Sequence, residues 1–302
     1  MPDEAPPLKA EEIAAIEQWI QSLKVVIPKV GIEKIPEAEK KSLKMNDEAT
    51  EDAFETPAFW GTQLINLPTT QSIGKKEVLF RVSHRFFPAI SEGYDAYFGL
   101  NGPAFILIGL GYGITENLSF AFGHSNLNHE WEFTLQWRVL QQGKQFNFPL
   151  SVSLKGSGSL ITEKEKDKSV FRSDNMKANL QLIMSRRFTN ALSLLVVSAF
   201  STNTNTFDPL SENTFILGTG GRFMVFENFS LIGEWLPVLS GYKNKLNGWG
   251  FGAEYKVGGH VFQVFVTNSY GLTSDQFITG GDLNFKDNDC RLGFNIFRTF
   301  WF

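Results

Sequence analysis

Eleven ionisable residues fall on one parity of segments in which polar and apolar side chains alternate: Arg81, Arg85, Glu130, Glu132, Arg138, Lys155, Lys177, Arg222, Glu234, Glu254 and Lys256. Acids and bases gathered on one surface in this way either neutralise one another as a structural ladder or form charged rings that select among ions in a narrow pore. Both readings stay open at this level. A second chemistry, acyl hydrolysis by a serine with a histidine base, has His124-Ser125, Ser83-His84, His129 and His260 as its raw material. None of these lies in a nucleophile motif, and Gly156-Ser-Gly-Ser159 and Gly218-Thr-Gly-Gly221 lack the strand-to-helix setting of a phosphate loop or nucleophile elbow. Four histidines without paired spacing and a lone Cys290 predict no metal site, haem attachment or internal disulfide. No catalytic, cofactor-binding or metal-ligating residue is therefore nominated.

The elements that must carry these charges have a period of two from Phe59 onward. In Glu130 to Leu140, Trp131, Phe133, Leu135, Trp137 and Val139 alternate with Glu130, Glu132, Thr134, Gln136 and Arg138, which gives a strand with one dry and one charged face. Noisier alternation marks Val78 to Phe86, Leu118 to His124, Phe148 to Lys155, Met176 to Phe188, Leu192 to Ser201, Thr214 to Phe226, Phe229 to Leu236, Trp249 to Lys256, His260 to Asn268 and Cys290 to Phe302. With Ala104 to Ile114 and a first strand around Gln63 to Ile73, the expectation is a closed antiparallel β-barrel of about 12 strands over residues 60–302. The chain ends on Phe294, Ile296, Phe300 and Phe302, all on one parity. Such a terminus fits the last strand of a bacterial outer-membrane barrel, where these side chains face lipid and signal assembly, and Cys290 shares their side.

No apolar run approaches the roughly 18 residues of a spanning helix, whereas Ala104 to Ile114 and Ala191 to Phe200 have the roughly 9–11 that a tilted spanning strand needs. The connectors Thr115-Glu-Asn117, Gly143-Lys144, Thr189-Asn190, Glu227-Asn228 and Gly258-Gly259 have tight-turn chemistry. They interleave with longer segments near 88–103, 158–174, 202–213, 238–247 and 270–286, as expected of short turns on one rim and long loops on the other. Soluble β-sandwiches and lipocalin-like barrels share the alternation. The aromatic dry face, the aromatic terminus and the paired turn lengths argue together for the membrane.

Residues 1–56 carry 13 acidic and 7 basic side chains, while the whole chain sums to −4, so residues 57–302 carry +2. No basic stripe suggests a nucleic-acid partner. Within the acidic head, Leu8, Ile13, Ile16, Trp19 and Ile20 recur at helical spacing with Glu11 and Glu12 in the first turn, predicting an amphipathic helix over 1–23. Residues 24–59 read as a charged linker. Met1 to Ile20 shows neither the basic nor the apolar region of a signal peptide, so Met1 is read as lying inside a longer precursor.

Arg81-Val-Ser-His-Arg-Phe86, Gly109-Leu-Gly-Tyr-Gly-Ile-Thr-Glu-Asn117, Gly218-Thr-Gly-Gly-Arg222, Gly258 to Asn268 and Gly293-Phe-Asn-Ile-Phe-Arg298 resemble an uncharacterised bacterial outer-membrane β-barrel family, a domain of unknown function. The resemblance runs from about residue 60 to the end and implies architecture and location, with no catalytic residue to carry over. Leu8 to Ile20 is similar to the carboxy-terminal helix of class I c-type cytochromes, without the Cys-x-x-Cys-His that would precede it. It stands either as a generic helix or as the remnant of an upstream haem domain, so no cofactor is expected within this chain itself.

The function expected is a narrow channel or sheath in the bacterial outer membrane, for small solutes or for an electron-transfer partner such as a c-type cytochrome, with the amino-terminal segment in the periplasm. Arg81, Arg85, Glu130, Glu132, Arg138, Lys155, Arg222, Glu234 and Glu254 are its candidate lumen charges. Outer-membrane lipid and the barrel-assembly machinery are the other expected partners. A lipid-modifying enzyme and a non-conducting anchoring barrel are the alternatives.

Overall fold

A computed structural model of the chain describes residues 57–301 apart from 144–147, 165–168, 206–211 and 288. The expected helix at 1–23, most of the linker and Phe302 lie outside the described residues.

The period-two segments form strands β1 (Val78–Phe86), β2 (Ala104–Gly113), β3 (Leu118–Ser125), β4 (Glu130–Leu140), β5 (Ser151–Ile161), β6 (Met176–Arg187) and β7 (Leu192–Ser201). They continue as β8 (Thr214–Phe226), β9 (Phe229–Leu236), the short β10 (Val238–Ser240), β11 (Gly248–Val257), β12 (His260–Thr267) and β13 (Arg291–Phe300). Each pairs antiparallel with its neighbour, and β13 pairs with β1 from Val78 opposite Phe300 to Arg85 opposite Gly293, which closes the sheet. Strand β10 continues β9 beyond Pro237 by pairing with β8, so the wall has 12 staves. Closure pairs each of the twelve staves on both sides, with only the short β10 extension paired on one, the condition for crossing lipid with strands. No described helix is long and apolar enough to cross a membrane.

The two faces of the wall are inverted relative to a protein surrounded by water. In β4, Glu130, Glu132 and Gln136 are at most 6% exposed, whereas Trp131, Phe133, Leu135 and Trp137 are 38–50% exposed. Water would penalise so broad an apolar surface at about 25 cal/mol per Å²; hydrocarbon removes the penalty. Phe294 and Ile296 lie on this outer parity of β13, with Phe300 exposed at its end, while Gly293, Asn295 and Phe297 point inward. Cys290 is half-buried just before β13.

Short connectors at 114–117, 188–191, 227–228 and 258–259 share one rim with the longer 141–150, where a tight turn at Gly143-Lys144 was expected, and the longer ones at 87–103, 162–175 and 268–290 share the other with the short 126–129. Strand β5 runs six residues past the expected end at Lys155, because Gly156 to Ile161 continue the ladder with β4 and β6.

One expectation fails. Residues Gln63 to Ile73 are not the first strand of the wall. The stretch contains an isolated bridge between Gln63 and Pro68 and otherwise follows an irregular path inside the barrel. Pro68 has no N–H to give a ladder and is out of place in a central strand.

Candidate functional site

The site is the lumen itself, occupied by residues 57–77. Pro57 and Ala58 lie beside Arg138, Gln142 and Ser151 at the short-turn rim. Trp60 packs its ring under the Arg222 guanidinium, 4.5 Å from centroid to carbon. A tight reversal follows, with Leu64 N–H donating to the Leu67 carbonyl (2.8 Å) and Thr69 N–H to the Thr62 carbonyl (3.0 Å). The chain then descends through Ile73 to begin β1 at the same rim. The segment is thus a hairpin plug inserted from the short-turn side.

Two interactions hold its tip. The first is polar: successive backbone N–H groups of the reversal converge on the Glu234 carboxylate, with Ile65 at 3.3 Å, Asn66 at 2.9 Å and Leu67 at 3.0 Å, joined by Asn66 Nδ2 at 2.8 Å. Consecutive amides of this kind make an anion-binding concavity, and the charge on the acceptor roughly doubles the strength of each bond. On the other side of the tip, Arg85 Nη2 donates to the Ile65 carbonyl and to Asn66 Oδ1, both at 3.1 Å. Asn295 Nδ2 donates to the Ile65 carbonyl (3.1 Å) and to Gln263 Oε1 (2.7 Å), while Gln263 Nε2 reaches the Gln63 carbonyl (3.1 Å) and Glu254 (2.8 Å). An acid from β9 and a base from β1 therefore meet across the plug and satisfy its backbone.

The second interaction is apolar. Leu64, Ile65 and Leu67 are fully buried against Ile183, Leu195, Val197, Ile216 and Ile232 of the inner wall. Wall glycines make the room. A β-carbon at Gly218 would stand 2.6 Å from Leu67 Cδ2, one at Gly220 2.6 Å from Leu64 Cδ2, and one at Gly250 2.9 Å from Ile65 Cδ1.

A second insertion closes the opposite end. The loop 268–290 folds inward around a one-turn helix, Ser274–Phe277, whose Phe277 joins Ile278 in the same apolar cluster. Ser274 N–H donates to Glu132 (2.9 Å), Gln276 Nε2 to Glu130 (2.8 Å), and Asp275 pairs with Lys177 at 2.9 Å, both side chains being almost wholly buried. Burial alone would raise the Asp275 carboxyl, but the Lys177 ammonium and its hydrogen bonds hold it below the usual Asp range.

The sequence-nominated charges thus divide. Arg85, Glu234 and Glu254 belong to the plug network, Arg222 to the Trp60 contact, and Glu130 and Glu132 to the loop insertion. Arg138 does not line an open pore: its guanidinium bonds Asn117 Oδ1 and the Glu116 carbonyl, tying the 114–117 turn. Arg81 and Lys155 face a cavity between the plug and strands β2–β5. Leu64 to Leu67 and Asp275 were not nominated, although Gly61, Asn66 and Pro68 are punctuation that a spanning strand tolerates poorly.

The serine and histidine candidates are not assembled. Ser83 and Ser125 are buried on the inner face, whereas their neighbours sit on the outer one: His84 stacks on Phe294 at 4.8 Å and His124 packs on Trp131 at 4.8 Å. His260 meets Arg298 (3.1 Å) at the short-turn end of β12. Among the described residues, no group of three or more His, Cys, Asp and Glu side chains is placed to hold a metal ion.

The model of the membrane bound beta barrel domain family (DUF5777) matches residues 59–300. No curated protein matches the chain. Among solved structures, the NanC porin is similar over 73% of this chain and 98% of its own, at 8% identity and a TM-score of 0.46. An outer membrane channel from Pseudomonas putida F1 is similar over 77% of this chain and 97% of its own, at 13% identity and a TM-score of 0.45. Outer membrane phospholipase A from Escherichia coli is similar over 76% of this chain and 94% of its own, at 11% identity and a TM-score of 0.32.

Proposed function

Because the chain belongs to the membrane bound beta barrel domain family, we propose that it is a narrow outer-membrane channel for small solutes that it closes with its own residues 57–77. The observation that carries this reading is the latch of the plug tip on Glu234. The plug is joined to the wall by hydrogen bonds and apolar contact, and the wall it covers bears Arg85, Arg222, Glu234 and Glu254. Withdrawing the hairpin would expose charge of both signs to a wet lumen, which is how a selective pore is lined.

On this reading the short-turn rim faces the periplasm, following the ordinary orientation of outer-membrane barrels, and Phe294, Ile296 and Phe300 serve recognition by the barrel-assembly machinery. A non-conducting anchor is the second reading, supported by the apolar cluster that fills the barrel. A sheath for a c-type cytochrome would require the whole hairpin to leave, since residues 57–77 occupy the lumen and two cavities beside the insertions measure only about 70 Å³ each. For lipid modification, Ser83 and His84, like Ser125 and His124, lie on opposite faces of the wall.

Planar-bilayer recording of the full chain and of Glu234→Ala tests the proposal. The native protein should be closed for most of the record, with the variant showing discrete openings; silence from both would leave the anchor.

A further inference from the structure

The plug does not fill the lumen evenly. Between it and strands β2–β5 lies a cavity of about 70 Å³, room for roughly five water molecules at 10–15 Å³ each. Its existence follows from side-chain size. The inner face of β2 and β3 carries Gly109, Ala121 and Gly123, which bring little bulk to this side of the lumen, and Gly111, where a β-carbon would stand 2.5 Å from Ile73 of the plug. Three charged side chains line it, Arg81, Glu132 and Lys155.

Their bonding leaves a specific vacancy in hydrogen-bonding capacity. Arg81 uses Nε on Ser83 (2.9 Å) and Nη2 on the Leu272 carbonyl (3.3 Å), and Glu132 accepts the Ser274 N–H. Among the described residues, neither Arg81 Nη1 nor the Lys155 ammonium has a direct hydrogen bond or close ion pair, and the one carboxylate that attracts both is Glu132. Two cations against one carboxylate give the cavity one positive charge in excess. The remaining wall is mixed: Ile73, Leu79 and Leu107 stand beside the small residues, and Thr62, Gln63, Ser119, Thr134 and Gln136 supply uncharged polar groups. We propose that this cavity binds a small monocarboxylate, its carboxylate on Lys155 and Arg81 and its short apolar end on the glycine and alanine wall. Binding stands on the cavity alone; its place on a solute path rests on the channel reading above.

The test is thermal unfolding of the full chain in detergent, titrated with sodium acetate against sodium chloride at matched ionic strength, since a ligand that binds only the folded state raises the midpoint saturably. The native protein should show an acetate-specific rise. Lys155→Gln should weaken the apparent affinity about tenfold or more, the scale of one hydrogen bond to a charged group, while Lys155→Arg retains it. Should Lys155→Gln fail to fold, Ala121→Leu fills the space without touching either cation and should abolish the rise. No acetate-specific rise in the native protein, or an equal rise in Lys155→Gln or Ala121→Leu, overturns the site. Acetate stabilisation of a barrel that never conducts keeps the site and sinks the channel; openings without it do the reverse.

Discussion

The two sides of the lumen are built on opposite principles. Along β6–β9 the inner wall presents Ile183, Leu195, Val197, Ile216 and Ile232, with Gly218 and Gly220 hollowed to receive Leu67 and Leu64. Along β2–β5 it presents Gly109, Ala121, Glu132 and Lys155, and the plug stands off from it. Hydrophobic burial is non-directional and tolerates no gap without loss of dispersion contacts, so the first side seals. Charged groups require partners or water, so the second side keeps a crevice. The difference teaches that the plug is fastened on one flank and that any passage or ligand belongs to the other, with the Glu234 latch at the tip between them.

The largest expected effect is from Glu234→Ala, which leaves the converging amides and the opposed Arg85 without their acid. Each buried donor left without its acceptor costs about 1–3 kcal/mol, and four lose theirs here, so protease should then cut within 57–77 in reconstituted protein. If the hairpin stays protected, the apolar flank alone suffices. Leu67→Ala attacks that flank directly at about 2–4 kcal/mol, measurable as a lower unfolding midpoint together with more frequent bilayer openings. A midpoint loss without openings would mean that the cluster stabilises the wall and not the closure. Gly218→Val overfills the hollow for Leu67 at about 1–3 kcal/mol; Gly156→Val, where a β-carbon meets nothing within 4 Å, is the matched control and should be silent.

The smallest effect concerns the loop at the opposite rim. Asp275 has a folded pKa below its unfolded value because of Lys177. Its contribution is therefore fully present above the unfolded value of about 3.9 and is lost as pH falls through the lower folded value. Hydrogen exchange of residues 268–290 should quicken below about pH 4 in the native protein, and should already be quick at pH 7 in Asp275→Asn.

The wall was legible from the residues because lipid imposes a rule that every stave obeys: Trp131 and Phe133 out, Glu130 and Glu132 in. The inward parity of Arg85, Arg222, Glu234 and Glu254 followed from that rule. Their partners did not, because Glu234 meets Asn66 across 168 positions of chain and no local period encodes the contact. Gln63 to Ile73 was expected as a first strand; Pro68 argued otherwise, and tertiary contacts with Gly218 and Gly220 decided. The cavity was hidden for a similar reason: no local period says that Gly109 and Gly123 will share a cavity with Lys155 and with Gln63 of the plug.

The central claim is that residues 57–77 sit inside the barrel against β8. Its most direct test is a disulfide between Leu67→Cys and Gly218→Cys in a Cys290→Ser background, since Leu67 Cγ lies 3.4 Å from a β-carbon at 218, within reach of disulfide geometry. A near-complete intramolecular bond is expected in the membrane-embedded protein, with a pore that stays shut until reductant is added. Absence of the bond, with position 67 open to a membrane-impermeant thiol reagent, would contradict it.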